Sequence, residues 1–101
     1  MNNQEKIWQV IHGIPAGKVM SYGQVAKMAD LPGYGRFVGF VLKTLPEGTK
    51  LPWFRVISSQ GRLSFPRDSR QYQIQKSRLE AEGVVFINGK LSLKKYGWQQ
   101  E

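Results

Sequence analysis

Apolar positions recur with helical spacing from the start of the chain. Ile7, Val10, Ile11 and Ile14 fall on one face, which predicts a first helix. Asn2 or Asn3 can cap it, Glu5 suits its first turn, and Gly13 and Pro15 end it. Ala16–Met20 is a connector with room for a short extended piece. Ser21-Tyr22-Gly23-Gln24 fits the capping box, and a short helix follows through Val25, Ala26 and Met28 until Asp30-Leu31-Pro32-Gly33 breaks it. A further helix is expected from Tyr34 or Gly35 to about Leu45, burying Val38, Val41, Leu42 and Leu45. Two short helices about a Gly-containing turn make either a helix-turn-helix or an ordinary helical hairpin.

The second half reads differently. Pro46–Lys50 is a loop, and Leu51-Pro52-Trp53-Phe54-Arg55-Val56-Ile57 predicts a loop running into a buried strand. Ser58–Gly61 is a turn that returns through Arg62-Leu63-Ser64, and a polar loop leads to a helix from about Arg70 to Glu82. Asp68 or Ser69 would cap that helix and Gly83 would stop it. Val84–Ile87 and Lys90–Leu93 flank Asn88-Gly89, which predicts a β-hairpin with a type I′ turn. Trp98 in the tail is expected to pack back. No repeat, low-complexity segment or linker divides residues 1–101, so one domain is expected.

Charge changes this picture more than composition does. Fifteen basic residues against seven acidic ones give a net +8, which favours a polyanionic partner, most often nucleic acid, over charge serving solubility alone. The chain has no cysteine, excluding disulfides, Cys-ligated zinc, iron–sulfur clusters and a thiolate nucleophile. His12 is the single histidine, and no Gly-rich phosphate loop follows a strand. No metal or cofactor is expected. Neither a membrane-spanning apolar run nor a signal-peptide core is present in the sequence, so a cytoplasmic protein without a membrane partner is expected.

Four segments together carry a resemblance. Ser21–Ala26 is similar to the start of the helix-turn-helix of guanine-O6 alkyltransferases, and Tyr34–Gly39 resembles their recognition helix. Pro52-Trp53-Phe54-Arg55-Val56 resembles their Pro-Cys-His-Arg-Val active-site motif, and Arg78–Val84 their late helix end. The resemblance covers nearly the whole chain. It implies a mainly helical α+β fold, a single winged-helix-like helix-turn-helix domain with small β-hairpins. In place of the alkyl-accepting Cys stands Trp53, and in place of the activating His stands Phe54. An indole is a poor nucleophile and Phe54 moves no proton, so no catalytic residue is assigned. A Trp at this position is the mark of alkyltransferase-like proteins, which bind O6-alkylguanine without repairing it and bring in nucleotide excision repair.

The same resemblance assigns roles. Tyr22 would press on the phosphate beside the flipped nucleotide, and Arg36 would fill the vacated stack from the minor groove. Gly35 and Gly39, with Gly33, would let the recognition helix approach the duplex closely. Trp53 would wall the lesion pocket, with the carbonyls of Trp53 and Val56 reading the guanine edge. Arg67 would pack on the flipped base, and Ser69 would donate to the O6 region or simply cap its helix. Pro52, Phe54 and Arg55 are read as structural, Arg55 as a semi-buried charge needing a partner. Lys18, Lys27 and Lys43 are either phosphate contacts or solvated. The implied partners are double-stranded DNA carrying O6-alkylguanine and excision-repair proteins, met by a monomer. Two other readings stay open: a sequence-specific helix-turn-helix regulator, and an alkyltransferase with a Lys or His12 acceptor.

Overall fold

A computed structural model describes residues 1–98. The helices are α1 (Asn3–His12), α2 (Tyr22–Met28), α3 (Gly35–Lys43), α4 (Arg70–Ala81) and α5 (Leu93–Tyr96), with strands β1 (Met20–Ser21) and β2 (Val56–Ile57) and one 3-10 turn over Trp53–Arg55. Local chemistry starts most of the helices. Asn2 and Glu5 form a reciprocal capping box at α1, and Ser21 and Gln24 form another at α2. The Ser69 and Ser92 hydroxyls accept from the third residue on, opening α4 and α5.

The core is in two parts. Ile7, Ile11 and Ile14 meet Val25, Ala26, Val38 and Val41 in one cluster, built from α1, α2 and α3. Leu79 and Tyr72 of α4 meet Leu63, Val84, Leu91 and Tyr96 in the other. The parallel β1–β2 pair, with Met20 opposite Val56 and Ser21 opposite Ile57, is the wall between them. Successive side chains of a strand point to opposite faces. Met20 and Val56 therefore enter the first cluster, while Val19 and Ile57 enter the second. Four residues of extended chain thus join two hydrophobic groups that neither helix set could cover alone.

One ion pair fastens the same junction. Arg55 donates from Nε to both Glu82 carboxylate oxygens at 3.0 and 3.1 Å, pairs with it again through Nη2, and donates from Nη1 to the Ile14 carbonyl at 2.8 Å. The Gly17 N–H donates to the same carboxylate at 2.9 Å. Burial pushes the Glu82 pKa up, but the hydrogen bonds and charge of Arg55 and the Gly17 N–H outweigh it and hold the carboxyl below its ordinary value.

The mainly helical α+β fold stands, and its strands are placed differently from expectation. The aromatic run Trp53–Arg55 is a 3-10 turn, and extended chain begins only at Val56. The Asn88-Gly89 turn forms with both φ angles positive, at 53° and 76°, yet a single bridge, Ile87 to Lys90, is all of the hairpin. Its flanks are drawn elsewhere. Leu91 donates its N–H to the Gly61 carbonyl, Val85 donates its N–H to the Tyr96 hydroxyl, and Leu93 already opens α5. The α3 helix stops at Lys43 and leaves Leu45 half-buried beyond it. Trp98 does pack back: its N–H donates to the Val19 carbonyl at 2.8 Å, and its ring lies against the first cluster.

Candidate nucleic-acid interface

The α2 and α3 helices meet closely at their first turns. A Cβ on Gly35 would stand 3.6 Å from the Gly23 nitrogen, in ordinary van der Waals contact with the first turn of α2. Gly39, one turn on, faces open space. The exposed side of α3 carries Arg36 and Lys43, on a chain of net charge +8. Tyr22, at the start of α2, is half-buried and its hydroxyl donates to Ser64 Oγ at 2.9 Å. That bond ties the helix pair to the segment before α4.

Beneath this edge is a cavity of about 230 Å³, with Tyr22, Gly39, Leu42 and Lys43 on one side and Trp53, Val56, Phe65 and Gln75 on the other. Its lining is mostly apolar and aromatic. The Trp53 indole is set edge-on to Phe54, with ring centroids 5.9 Å apart, and edge-on to Phe65 at 6.3 Å. The Arg78 guanidinium lies 5.9 Å from the Trp53 ring centre and 5.5 Å from that of Phe54. Trp53 and Phe65 also border a wider, more open hollow of about 670 Å³ with Arg78, Ile74 and the 45–49 loop. Trp53 is thus a partition between a narrow apolar slot and a larger basin.

The turn that presents Trp53 is held from below by Gln75. This side chain is 2% exposed, and its Nε2 donates to the carbonyls of Phe54 and Val56, each at 3.1 Å. The Trp53 carbonyl accepts the Val56 N–H, and the Pro52 carbonyl accepts the Arg55 N–H. The carbonyls of Trp53 and Val56 therefore each have a partner within the chain. Any guanine edge would have to use their second lone pairs.

Arg67 and Ser69 do not line the slot at Trp53. Arg67 reaches over the Asn88-Gly89 turn and donates from Nη2 to the Asn88 carbonyl at 3.3 Å, in space that only a glycine at 89 leaves open. Ser69 is the N-cap of α4, accepting from Tyr72 N–H at 3.2 Å and donating to the Pro66 carbonyl at 2.6 Å. Arg36 lies outside the cavity on the exposed face of α3. Phe54 packs on the second core cluster, and the Arg55 guanidinium lies 5.2 Å from its ring centre. His12 stands in a separate hollow with Pro52, Phe54 and Arg78.

Sequence reading overlooked Gln75 and Arg78. The signal for Gln75 was present. Tyr72, Gln75 and Leu79 share the buried face of α4, and an amide on an apolar stripe must find a partner. No group of three or more His, Asp or Glu side chains among the described residues could hold a metal ion, and no helix there is long and apolar enough to cross a membrane.

Comparison with known proteins places this geometry. Residues 2–84 match the DNA-binding domain of 6-O-methylguanine DNA methyltransferase. The chain is 57% identical over 95 residues to a DNA base-flipping protein of Vibrio parahaemolyticus, covering 93% of each chain. It is 40% identical over 99 residues to alkyltransferase-like protein 1 of Schizosaccharomyces pombe, covering 93% of this chain and 92% of that one. Among solved structures it superposes on S. pombe Atl1 in complex with damaged DNA containing O6-carboxymethylguanine, with a TM-score of 0.89 and 39% identity, over 97% of this chain and 95% of that chain. The O6-methylguanine methyltransferase of Mycobacterium tuberculosis gives a TM-score of 0.71 at 29% identity, and this chain covers 48% of it. The chain therefore belongs to the family of the 6-O-methylguanine DNA methyltransferase DNA-binding domain, as an alkyltransferase-like protein.

Proposed function

We propose that this protein recognises O6-alkylguanine in duplex DNA by turning the base out of the stack, holds it without removing the alkyl group, and so directs the lesion to nucleotide excision repair. The observation that carries the reading is the apolar slot between α3 and the Trp53 turn, opening beside Tyr22 in a chain with no cysteine. Extruding a base costs a few kcal/mol, and stacking on aromatic walls offsets it. Trp53 stands where the alkyltransferase motif carries its acceptor, and an indole offers the alkyl group surface without a nucleophilic thiolate. Lys43 is the amine among the residues lining the slot. Relatives named as base-flipping and alkyltransferase-like proteins, and the likeness to Atl1 bound to damaged DNA, support the same reading. Tyr22 and Arg36 act from the minor groove, on the phosphate and in the vacated stack. The protein works as a monomer in the cytoplasm.

The deciding experiment compares binding to matched duplexes with guanine and with O6-methylguanine. Tighter binding of the lesion is expected, and equal affinity would end the sensing reading. Mass spectrometry after incubation should show no alkyl gain on the protein. Arg36→Ala should weaken binding to both duplexes, more on the lesion, and reduce the fluorescence rise of a neighbouring 2-aminopurine. A preference for one undamaged sequence would instead favour a helix-turn-helix regulator.

A further inference from the structure

The α3 helix exposes a large apolar side chain beside its charged ones. Phe40 is 60% exposed, on a helix whose inner face buries Val38 and Val41. It is not loose. Its ring stacks on Phe37 at 6.4 Å with an interplanar angle of 20°, and Phe37 packs on the core and takes Tyr34 edge-on at 6.2 Å. An aromatic ladder thus braces Phe40 from behind. Phe40 follows Arg36 by four residues, which puts both on one helix face. The flank toward the slot is Gly39, with nothing around its Cβ position, so neighbouring surface there is low and Phe40 projects past it.

We infer that Phe40 is a second, apolar wedge: it enters the minor groove with Arg36 and partly unstacks a base step, bending the duplex over α3. This rests on the DNA-binding reading above. Charge selects DNA as the occupant, because the patch is bordered by Arg36 and Lys43 on a chain of net +8, a poor surface for a purely apolar partner. Minor-groove proteins commonly insert Phe, Leu, Ile or Met between base steps and kink DNA by tens of degrees. The spacing also fits. Four residues advance α3 by about 6 Å, and base pairs repeat at about 3.4 Å, so Phe40 meets the stack about two steps from Arg36. The wedge acts on the stack, not the lesion, and lowers the resistance of the flanking duplex to extrusion of the base.

The test uses the full chain and end-labelled duplexes, guanine and O6-methylguanine, read by fluorescence energy transfer for bending and by titration for affinity. Phe40→Ala should straighten the DNA and weaken binding about tenfold on both duplexes, with an unchanged melting temperature because the ring is exposed. Phe40→Leu, still an apolar wedge, should keep most of the bend. An unchanged bend in Phe40→Ala overturns the inference. So does a loss confined to the lesion duplex, which would mean contact with the extruded base, or a loss tracking a fall in melting temperature. If the wild type shows no lesion preference, sensing fails, while the bend on undamaged DNA still decides the role of Phe40.

Discussion

Gln75→Leu separates a packing role from a hydrogen-bonding role at the base of the Trp53 turn. The two side chains have similar size, and position 75 is 2% exposed, so the leucine stays buried. What changes is the partner of two carbonyls. The Val56 carbonyl lies in the buried interior, and losing its donor costs about 2 kcal/mol. The Phe54 carbonyl is only partly buried and reaches water more readily, at about 1 kcal/mol. Burying the leucine methyls returns about 1 kcal/mol. The net loss is about 2 kcal/mol, which in a domain of this size lowers the melting temperature by about 8–16 °C. Thermal denaturation followed by circular dichroism, beside an exposed control on the same helix such as Gln71→Leu, reads this directly. Lesion binding should fall further than stability alone requires, because the loosened turn carries Trp53. Gln75→Glu sharpens the test. A carboxylate facing two carbonyl oxygens is disfavoured, so its folded pKa must rise and the variant must lose stability as pH increases through it. A Gln75→Leu protein melting within about 3 °C of wild type would refute the argument.

Other outcomes follow from the same geometry. Glu82→Gln should destabilise by about 3 kcal/mol at neutral pH, since it leaves Arg55 without its charge partner in a half-buried site. Because the Glu82 pKa is held below the ordinary carboxylate value, its contribution is complete above about pH 5 and is lost as pH falls through the folded value, so melting curves of wild type and variant should converge in acid. Gly61→Ala should cost about 2 kcal/mol or more by urea denaturation, because φ is +77° and the new Cβ would stand 2.6 Å from the Leu91 carbonyl oxygen. Trp53→Cys should take up no label from O6-[methyl-³H]guanine duplex, because Phe54 cannot help form a thiolate; stoichiometric transfer would mean that Trp53 alone blocks repair. Affinity for undamaged duplex should fall steeply with salt as phosphate counterions are released, and a flat titration would contradict a DNA-binding face.

What the sequence made legible was local. Asn2 with Glu5 and Ser21 with Gln24 each close a capping box within four residues, and Asn88-Gly89 fixes its own turn. None of these needs a distant partner to be recognised. The sheet does need one. Val19 to Ser21 is extended because Val56, Ile57 and Gly97 pair beside it, from more than thirty residues away. The same non-local effect turned Trp53–Arg55 into a 3-10 turn. Aromatic and β-branched residues read as strand, but here the rings are organised by Phe65, Arg78 and the Gln75 amide, all later in the chain. Likewise the hairpin around Asn88 was written in its turn and denied by its flanks, whose hydrogen bonds go to Gly61 and Tyr96.

The site follows the same division, and this explains how a Trp can occupy it. Bulk at position 53 is tolerable only if the turn is anchored by groups other than the side chain itself. Gln75 takes the carbonyls on either side of Arg55, and Arg55 is bound to Glu82 and to the Ile14 carbonyl. Both anchors act through backbone or through residue 55, and neither touches the atoms that would do chemistry. The scaffold is therefore indifferent to whether residue 53 is a nucleophile or a wall. Under the proposed function, Trp53 and Phe54 in the places of acceptor and base would leave the chain unreactive with the anchors, the slot and the basic α3 face intact. A side chain larger than a thiol then narrows the slot on one side and borders the wider basin on the other. Gln75 holds the turn through its amide while also lining the slot, and Arg55 with Glu82 holds it from outside the slot, so under the proposed function recognition can persist in this architecture without repair.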